Sequence, residues 1–339
     1  MNVDDDETMS KTIPISDDNE CGSEEINSAV INSKNVKSPL LKEKMIQTVE
    51  GVNYFTYGNT DLEQHYRRVK ELPLRDDDVI ITGFPRSGHH WTFEVVHMVL
   101  RQNTKFADAQ FYSRLMDFQD ANNEHLESLA SPRILASHYW MPKLPRQVAE
   151  KPVKIIYIMR NPKDVMVSLY NFTKNFAWPS CSFTGSWDEF FDLHTTGEFP
   201  WGPWFSHVKA AETFMKQAQL KCSFHVLVYE RLKRDPVPEI KKLCRFLNCP
   251  EHLAGDIAAK TSFDHMKFEL KDSKLKIQGR LFTNGTDGNL RKGAVQDWKE
   301  WFSPEQNMRY NELFEENMSC TQLGKMVKSH IGLCDPQRE

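Results

Sequence analysis

A glycine-bounded loop after a short apolar run is the first feature of this sequence that could do chemistry. Residues 83–91 read Gly-Phe-Pro-Arg-Ser-Gly-His-His-Trp, between the run VIIT and a stretch with helical spacing. Successive N–H groups of such a loop can converge on a phosphate at a helix N-terminus. Gly83 and Gly88 have the spacing of a P-loop, but His89 and His90 stand where a nucleotide triphosphatase requires Lys and Ser or Thr. The loop therefore predicts a phosphate site and disfavours Mg²⁺-dependent ATP chemistry.

Two further basic groups could hold a second phosphate. Arg160 follows the apolar run VKIIYIM, and Ser168 lies two helical turns later, so a guanidinium fork and a hydroxyl are available for a phosphate monoester. Far downstream, the segment 291–293 (Arg-Lys-Gly) places two cations beside a flexible residue. Either group alone is typical of a solvated surface. Together with the loop they predict two separate phosphate sites in a chain whose net charge is −4.

The elements that must position these residues are short apolar strands alternating with helices. Strands are predicted at 79–82, 133–137, 153–159 and 224–229, and helices at 89–102, 162–174, 201–221 and 236–247. This alternation is typical of an α/β fold with a central parallel sheet flanked by helices. Ligands of such folds bind at the carboxyl ends of the strands, so we expect the chemistry to follow Thr82, Ser137, Met159 and Tyr229.

The composition of the chain limits the kinds of molecule that it is expected to bind. A general nucleic-acid or anionic-membrane binder usually carries a basic excess, and no apolar run reaches about 18 residues, so neither partner is expected. The seven cysteines are scattered without a CxxC pair, which argues against a metal site and favours a cytoplasmic protein with reduced thiols.

The chain divides into three predicted parts. Residues 1–45 hold no aromatic residue and are rich in acidic and polar types, which predicts a disordered tail. Residues 46–330 are expected to form a single domain, because one α/β domain can absorb this length. Residues 331–339 are interpreted as a C-terminal tail.

Three ordered motifs resemble those of the cytosolic sulfotransferases, which use 3′-phosphoadenosine 5′-phosphosulfate (PAPS). The family's P-loop-like phosphosulfate-binding loop, PKSGTTW, appears as PRSGHHW at 85–91. Its 3′-phosphate motifs, RNxKDxxVSxYxF and RKGxxGDWKxxF, appear as RNPKDVMVSLYNF at 160–172 and RKGAVQDWKEWF at 291–302. The resemblance implies transfer of a sulfuryl group to a hydroxyl or amine of a small aromatic or hydrophobic acceptor, with no metal. It covers about Gly51 to Met318.

The resemblance also implies residue roles by position. His138, in ASHYWMP where the family has a KTHLP-like segment, is the expected general base, a role that suits a group titrating near neutrality. Arg86 is expected to stabilise the leaving phosphate, and Phe172 and Tyr139 to line the acceptor site. The residues expected to bind PAPS are Arg86, Ser87, Gly88, His89, His90, Trp91, Arg160, Ser168, Tyr229, Thr261, Ser262, Phe263, Arg291, Lys292 and Gly293.

Departures from the family pattern cluster at the sulfuryl end. Arg86 replaces a lysine, His89 and His90 replace two threonines, and Ala136 replaces a second lysine. These changes leave the 3′-phosphate motifs intact, so a non-catalytic PAPS- or PAP-binding protein is the alternative to an active enzyme. A proton supplied by either loop histidine would titrate with a midpoint near 6.5 if its environment were ordinary, roughly the unperturbed value of the side chain.

The family's dimer segment, KxxxTVxxxE, appears as KEWFSPEQNM at 299–308. Thr-Val has become Ser303-Pro304, and the glutamate has become Met308. Pro304 lacks an N–H that a paired segment could donate. The sequence therefore predicts a monomer or a weak homodimer.

Overall fold

A four-stranded parallel sheet lies at the centre of the protein, with a small antiparallel hairpin beside it. The computed structural model describes residues 46–56, 61–108, 111–117, 123–175, 182–272 and 291–331. The hairpin consists of β1 (Ile46–Val49) and β2 (Val52–Phe55). The sheet has the order β4-β3-β5-β6, and its strands are β3 (Val79–Gly83), β4 (Ile134–Ser137), β5 (Lys154–Met159) and β6 (Ser223–Val228).

Helices follow nearly every strand. In chain order they are α1 (Leu62–Lys70), α2 (His89–Arg101), α3 (Asn123–Ser128), α4 (Pro162–Lys174), α5 (Trp187–Thr196), α6 (Trp204–Met215), α7 (Tyr229–Arg234), α8 (Pro236–Leu247), α9 (Ala254–Lys260), α10 (Phe263–Asp272), α11 (Pro304–Met318) and α12 (Gln322–Lys328).

Both faces of the parallel sheet are covered. Side chains alternate along a strand, so Ile80 and Tyr157 pack on one side, in a core shared with α4, α5 and α6. Ile81 and Ile156 pack on the other side, in a core shared with α2, α8 and α9. The α/β class, with its central parallel sheet flanked by helices, is confirmed.

The predicted element bounds agree with the structure to within one residue, apart from the helix at 201–221. Helix α6 begins three residues later than predicted, because Trp201 and Gly202 have positive φ angles of 72° and 69° and Pro203 is the N-cap. It also ends at Met215, six residues before the predicted end. Strand β6 ends at Val228, one residue before the predicted end at 229, and Tyr229 instead begins α7.

The strand order creates a crevice. Strand β4 follows β3 in the chain and pairs with one edge of β3, and the next strand, β5, pairs with the other edge of β3. Connections that diverge from adjacent strand ends leave a cleft at the carboxyl edge of the sheet, where ligands of such folds bind. The glycine loop follows β3 and Arg160 follows β5, so both predicted phosphate sites lie at this cleft.

The predicted N-terminal tail, 1–45, and residues 332–339 of the predicted C-terminal tail lie outside the described residues. The division into domain and tails stays a prediction. Ile331 is fully buried, and its carbonyl accepts a hydrogen bond from Lys163 Nζ at 3.1 Å. Among the described helices, none combines the length and apolar character needed to cross a membrane.

Candidate active site

The glycine loop turns directly into α2, and the first turn of that helix lines a cavity. Gly88 is the N-cap, with φ 116°, and a Cβ at this position would lie 2.8 Å from Tyr229 Cδ2. No side chain caps the helix at Gly88, so the N–H groups of His89, His90 and Trp91 have no partner within the helix. Unpaired N–H groups at a helix N-terminus favour an anion.

Arg86 is a fixed cation in this loop, with a left-handed backbone φ of 69°. Its Nε donates to Ser168 Oγ over 3.2 Å, and its guanidinium carbon lies 4.6 Å from the centroid of the Phe172 ring. Its carbonyl accepts from Arg160 Nη1 at 2.8 Å. Burial is the main reason that the pKa of Arg86 falls to about 10, and the nearby cations Arg160 and Arg291 act in the same direction. The guanidinium is nevertheless charged at neutral pH.

The loop histidines are neutral. Both ring nitrogens of the buried His89 lack a hydrogen-bond partner within the described part of the chain. Burial, chiefly, holds the pKa of His89 well below its usual range and lowers the pKa of His90 to about 3. The environment of the loop histidines is therefore not ordinary, and a midpoint near 6.5 does not apply to them, because the imidazolium form would be stripped of water here. A neutral imidazole can still donate one hydrogen bond and accept another.

Arg160 stands where β5 ends, with its guanidinium carbon 4.4 Å from the centroid of the Tyr229 ring. The Arg160 side chain is buried, and its Nε has no hydrogen-bond partner in the described residues. Ser168, two turns along α4, lines the same cavity. A buried donor without a partner costs free energy unless a ligand satisfies it, so this end of the cavity suits a phosphate.

One carboxylate fixes the downstream segment 291–302 to helix α4. Asp164 Oδ2 accepts from the Gln296 N–H at 2.8 Å, and Asp164 Oδ1 accepts from the Trp298 N–H at 3.0 Å. Burial raises the pKa of Asp164, and these backbone bonds partly oppose that effect. Asp164 thereby holds the Arg-Lys-Gly segment (291–293) at the same cavity as Arg160.

A second carboxylate orients the cations of this segment. Asp297 accepts hydrogen bonds from Arg291 and from Lys292 Nζ, the latter at 2.7 Å. Burial acts to raise the pKa of Asp297, but its bonds to the two cations outweigh burial and lower it. Gly293 has φ 59°, and a Cβ there would overlap the Phe263 ring. The three residues of the Arg-Lys-Gly segment all line the cavity.

His138 follows β4 on the other side of the crevice. Its Nδ1 lies 3.1 Å from Asp117 Oδ2, and its backbone N–H donates to both carboxylate oxygens of Asp117 at 3.2 Å. Its ring centroid lies 4.5 Å from that of His89. When Nδ1 donates to the carboxylate, a neutral imidazole carries its lone pair on Nε2.

The walls around His138 are aromatic. Tyr139 is buried and makes an edge contact with Tyr54, with ring centroids 5.0 Å apart. Phe111 lies 4.3 Å from His90 between ring centroids, and both rings line the cavity together with Phe172. An acceptor placed here would meet aromatic rings and imidazoles.

Every predicted site residue except Ser87 and Ser262 lines this one cavity. Ser87 is fully buried, and its N–H donates to the Phe84 carbonyl at 3.2 Å. Ser262 Oγ lies 3.3 Å from His265 Nδ1. Ala136, where the family has lysine, is buried in the core on the α2 side of the sheet.

Three carboxylates that the sequence interpretation did not assign also line the cavity: Asp117, Asp164 and Asp297. Asp164 and Asp297 stand inside the quoted motifs, so their spacing to Arg160 and Arg291 could have indicated them. Asp117 lies 21 residues before His138 and outside every quoted motif, so no sequence signal marks it. In the described ranges, no cluster of three or more His, Cys, Asp or Glu side chains is arranged to hold a metal ion.

Comparison with known proteins places the chain in a family. The family model for a sulfotransferase domain matches residues 76–322, so the chain belongs to the sulfotransferase family. Human sulfotransferase 1C2 is 30% identical over 298 residues, which cover 84% of this chain and 97% of that protein. Human sulfotransferase 2A1 is 32% identical over 281 residues, covering 80% and 94%.

A solved structure shares the fold over the same length. The crystal structure of mouse sulfotransferase SULT7A1 complexed with PAP superposes with a TM-score of 0.67 at 29% sequence identity. It covers 84% of this chain and 98% of the mouse chain. The expected resemblance to the cytosolic sulfotransferases is confirmed.

Proposed function

We propose that this protein transfers the sulfuryl group of PAPS to a hydroxyl or amine of a small acceptor. The observation that carries the proposal is one cavity that joins two cationic phosphate sites to a histidine held by a carboxylate. Membership of the sulfotransferase family supports it, and the mouse relative holds PAP, the desulfated product of PAPS.

The 3′-phosphate is assigned to the residues at the end of β5 and in the Arg-Lys-Gly segment. Arg160 and Ser168 offer a buried guanidinium and a hydroxyl, and Arg291, Lys292 and Gly293 approach from the other side. The unpartnered Arg160 Nε and the cations oriented by carboxylates fit a dianionic group.

The adenine is assigned to an aromatic pocket between α2 and α7. The Trp91 and Tyr229 rings meet edge to face at 5.5 Å, and Thr261 and Phe263 line the same cavity. The buried Trp91 Nε1 has no hydrogen-bond partner among the described residues, so it can donate to a bound base.

The chemistry is an in-line transfer. The acceptor oxygen forms a bond to sulfur, the bond from sulfur to the bridging oxygen breaks, and its electron pair stays on the departing phosphate. The acceptor proton passes to His138 Nε2. Arg86 and the N–H groups at the start of α2 stabilise the charge that grows on the leaving phosphate. No covalent bond to the protein is needed.

The acceptor site is assigned to the aromatic walls around His138, including Phe172 and Tyr139. Asp117, the carboxylate of this end, already accepts from the His138 backbone N–H and lies within hydrogen-bond distance of His138 Nδ1. The surroundings favour a neutral aromatic or hydrophobic hydroxyl compound over a charged amine, because a buried ammonium would need a carboxylate of its own.

A transfer screen tests the proposal. Phenols, alcohols, steroids and amines are incubated with the full chain and ³⁵S-labelled PAPS, and labelled organic products are separated. We expect transfer to at least one phenol or alcohol. PAP binding without transfer to any class would favour the non-catalytic alternative, and Mg²⁺-ATP hydrolysis without either would contradict both.

Removal of one phosphate contact should weaken PAP binding. Arg160→Ala and Arg291→Ala should each raise the Kd for PAP about ten- to a hundredfold, because a charge-assisted bond contributes roughly 1.5–3 kcal/mol. Ser168→Ala, which removes a neutral hydroxyl, should have a smaller effect of the same sign. Calorimetry with PAP gives the three affinities.

The matched control is Arg309→Ala, because Arg309 of α11 forms an exposed ion pair with Asp192 of α5, outside the cavity. Its affinity for PAP should equal that of the wild type. A wild-type protein that binds no PAP at millimolar concentration, or an Arg160→Ala variant that binds like the wild type, would contradict the assignment.

We also propose that the protein acts in the cytoplasm as a monomer or a weak homodimer, without nucleic-acid or membrane partners. In the segment equivalent to the family's dimer motif, Ser303 caps α11 through a capping box with Gln306, and Pro304 is the first helical residue. Met308 is 60% exposed on the same helix. A helix start leaves no extended strand to pair across an interface.

Light scattering at micromolar protein checks the oligomeric state. The wild type and Lys299→Glu should both have the mass of one chain. A stable wild-type dimer that Lys299→Glu dissociates would show that this segment does pair chains.

A further inference from the structure

A short segment packs on the free edge of β4 and brings a carboxylate beside the proposed base. Leu115 forms a parallel bridge with Ala136, and the Met116 N–H donates to the Ala136 carbonyl at 2.8 Å. The segment therefore extends the sheet by one residue pair. Asp117 and His138 each lie two residues beyond this bridged pair, so the parallel register sets their side chains next to each other.

Three hydrogen bonds hold this carboxylate against His138. Two come from the His138 backbone N–H, at 3.2 Å to each oxygen of Asp117, and the third joins His138 Nδ1 to Asp117 Oδ2 at 3.1 Å. The side chains are 9% and 15% exposed for Asp117 and His138. A carboxylate tied to both the backbone and the ring of one residue fixes the orientation of that ring.

We propose that Asp117 is a positioning residue that holds His138 as the Nδ1–H tautomer with its Nε2 lone pair available to the acceptor. The proposal rests on the proposed sulfuryl transfer. The acceptor proton moves to Nε2 as sulfur bonds to the acceptor oxygen, which turns the ring into an imidazolium. Asp117 keeps its negative charge, takes no proton and stabilises that imidazolium.

The other titratable groups that face His138 do not carry a charge that could stabilise its imidazolium form. They are His89 and His90 on α2 and His207 on α6, and each interacts electrostatically with His138. Burial, above all, lowers the pKa of each of these three imidazoles, to about 3 for His90 and His207, so they are neutral.

The groups that face Asp117 are Tyr54 from β2 and His65 from α1. Burial raises the pKa of Tyr54 well above its usual range and lowers the pKa of His65, so both are also neutral. Asp117 is therefore the charged side chain that faces the base among the described residues around this pair.

Kinetics on the full chain tests the role. Asp117→Asn keeps the size of the side chain but removes its charge, so kcat should fall about ten- to a hundredfold, a part of the 10²–10⁴-fold that a general base contributes. The KM for PAPS and the affinity for PAP should stay within about twofold, since no phosphate contact changes. The acidic limb of the kcat profile should shift to lower pH, because an imidazolium without its carboxylate loses its proton more readily.

Two further variants separate charge from packing. Asp117→Glu restores the carboxylate and should recover part of the lost kcat and the wild-type acidic limb. Glu239→Gln is the matched control, because Glu239 is a similarly buried carboxylate on α8, with its side chain 10% exposed and paired with Lys242. It should leave kcat and the pH profile unchanged.

Nitrogen NMR of the ¹⁵N-histidine-labelled protein with PAP supplies a readout that does not need turnover. At pH 8, wild-type His138 should show a protonated Nδ1 and an unprotonated Nε2, and Asp117→Asn should shift this population toward the other tautomer. A wild-type protonated Nε2 would overturn the proposal even if no variant could be purified. An Asn variant with wild-type kcat and pH profile in an active enzyme would overturn it too.

The outcomes for sulfuryl transfer and for the role of Asp117 can be told apart. A wild type that transfers no sulfate to any acceptor contradicts the proposed function, whereas the tautomer of His138 still tests the role of Asp117 in holding the ring. A working enzyme with an unaffected Asp117→Asn variant contradicts the role of Asp117 alone.

Discussion

Replacement of His138 by alanine should lower kcat by about 10²–10⁴-fold, the contribution expected of a positioned general base. Affinity for PAP should be nearly unchanged. His138 follows β4 and Arg160 follows β5, and β3 lies between these strands, so about 10 Å of sheet separates the proposed base from the proposed phosphate site. Steady-state kinetics with labelled PAPS and calorimetry with PAP measure the two quantities on the same preparation.

The histidines near His138 should not replace it. Burial lowers the pKa of His89 and of His90, so both are weak bases despite their place at the same cavity. His252→Ala, which changes an exposed histidine outside the cavity, is the control and should turn over like the wild type. A His138→Ala variant within tenfold of wild-type kcat would exclude His138 as the base.

The fold was largely predictable because the sheet is buried on both faces. Strands such as β3 and β5 contain runs of consecutive apolar residues, and each is followed by a helix, which is the pattern of a parallel sheet. The start of α6 was predicted three residues too early because a left-handed turn at Trp201 and Gly202 precedes it. An apolar pattern carries no sign of such a φ angle.

The grouping of residues around the candidate cavity was predictable where those residues are close in sequence. Arg86 and the first turn of α2 share one loop, and Arg160 and Ser168 share one helix start, so their types and spacing indicated phosphate binding. Asp117 could not be found in this way, because only the pairing of its segment with β4 brings it to His138. The neutral state of His89 and His90 also depends on burial by distant elements, which their residue type does not reveal.

Arg86→Ala should lower kcat about 10²–10³-fold, the usual effect of removing one group that stabilises developing charge. The affinity for PAP should fall far less, because the 3′-phosphate contacts of Arg160 and Arg291 remain. The side chain of Arg86 lies between Ser168 and the Phe172 ring, at the junction of the nucleotide and acceptor ends of the cavity. In the proposed reaction, this position places its charge where the bond to sulfur breaks. With its pKa at about 10, Arg86 acts as a fixed cation at neutral pH and does not donate a proton.

Arg86→Lys is the matched variant and should retain measurable turnover. Lysine keeps a cation at the position, although its compact ammonium cannot reproduce both the Ser168 hydrogen bond and the stacking on Phe172. Alanine and lysine meet the same left-handed backbone, φ 69°, so any strain cancels when the two variants are compared. A kcat ratio of Lys to Ala well above one identifies the charge as the cause. If Arg86→Ala turns over like the wild type, the leaving group is stabilised by the N–H groups of α2 instead, and the guanidinium only packs between Ser168 and Phe172.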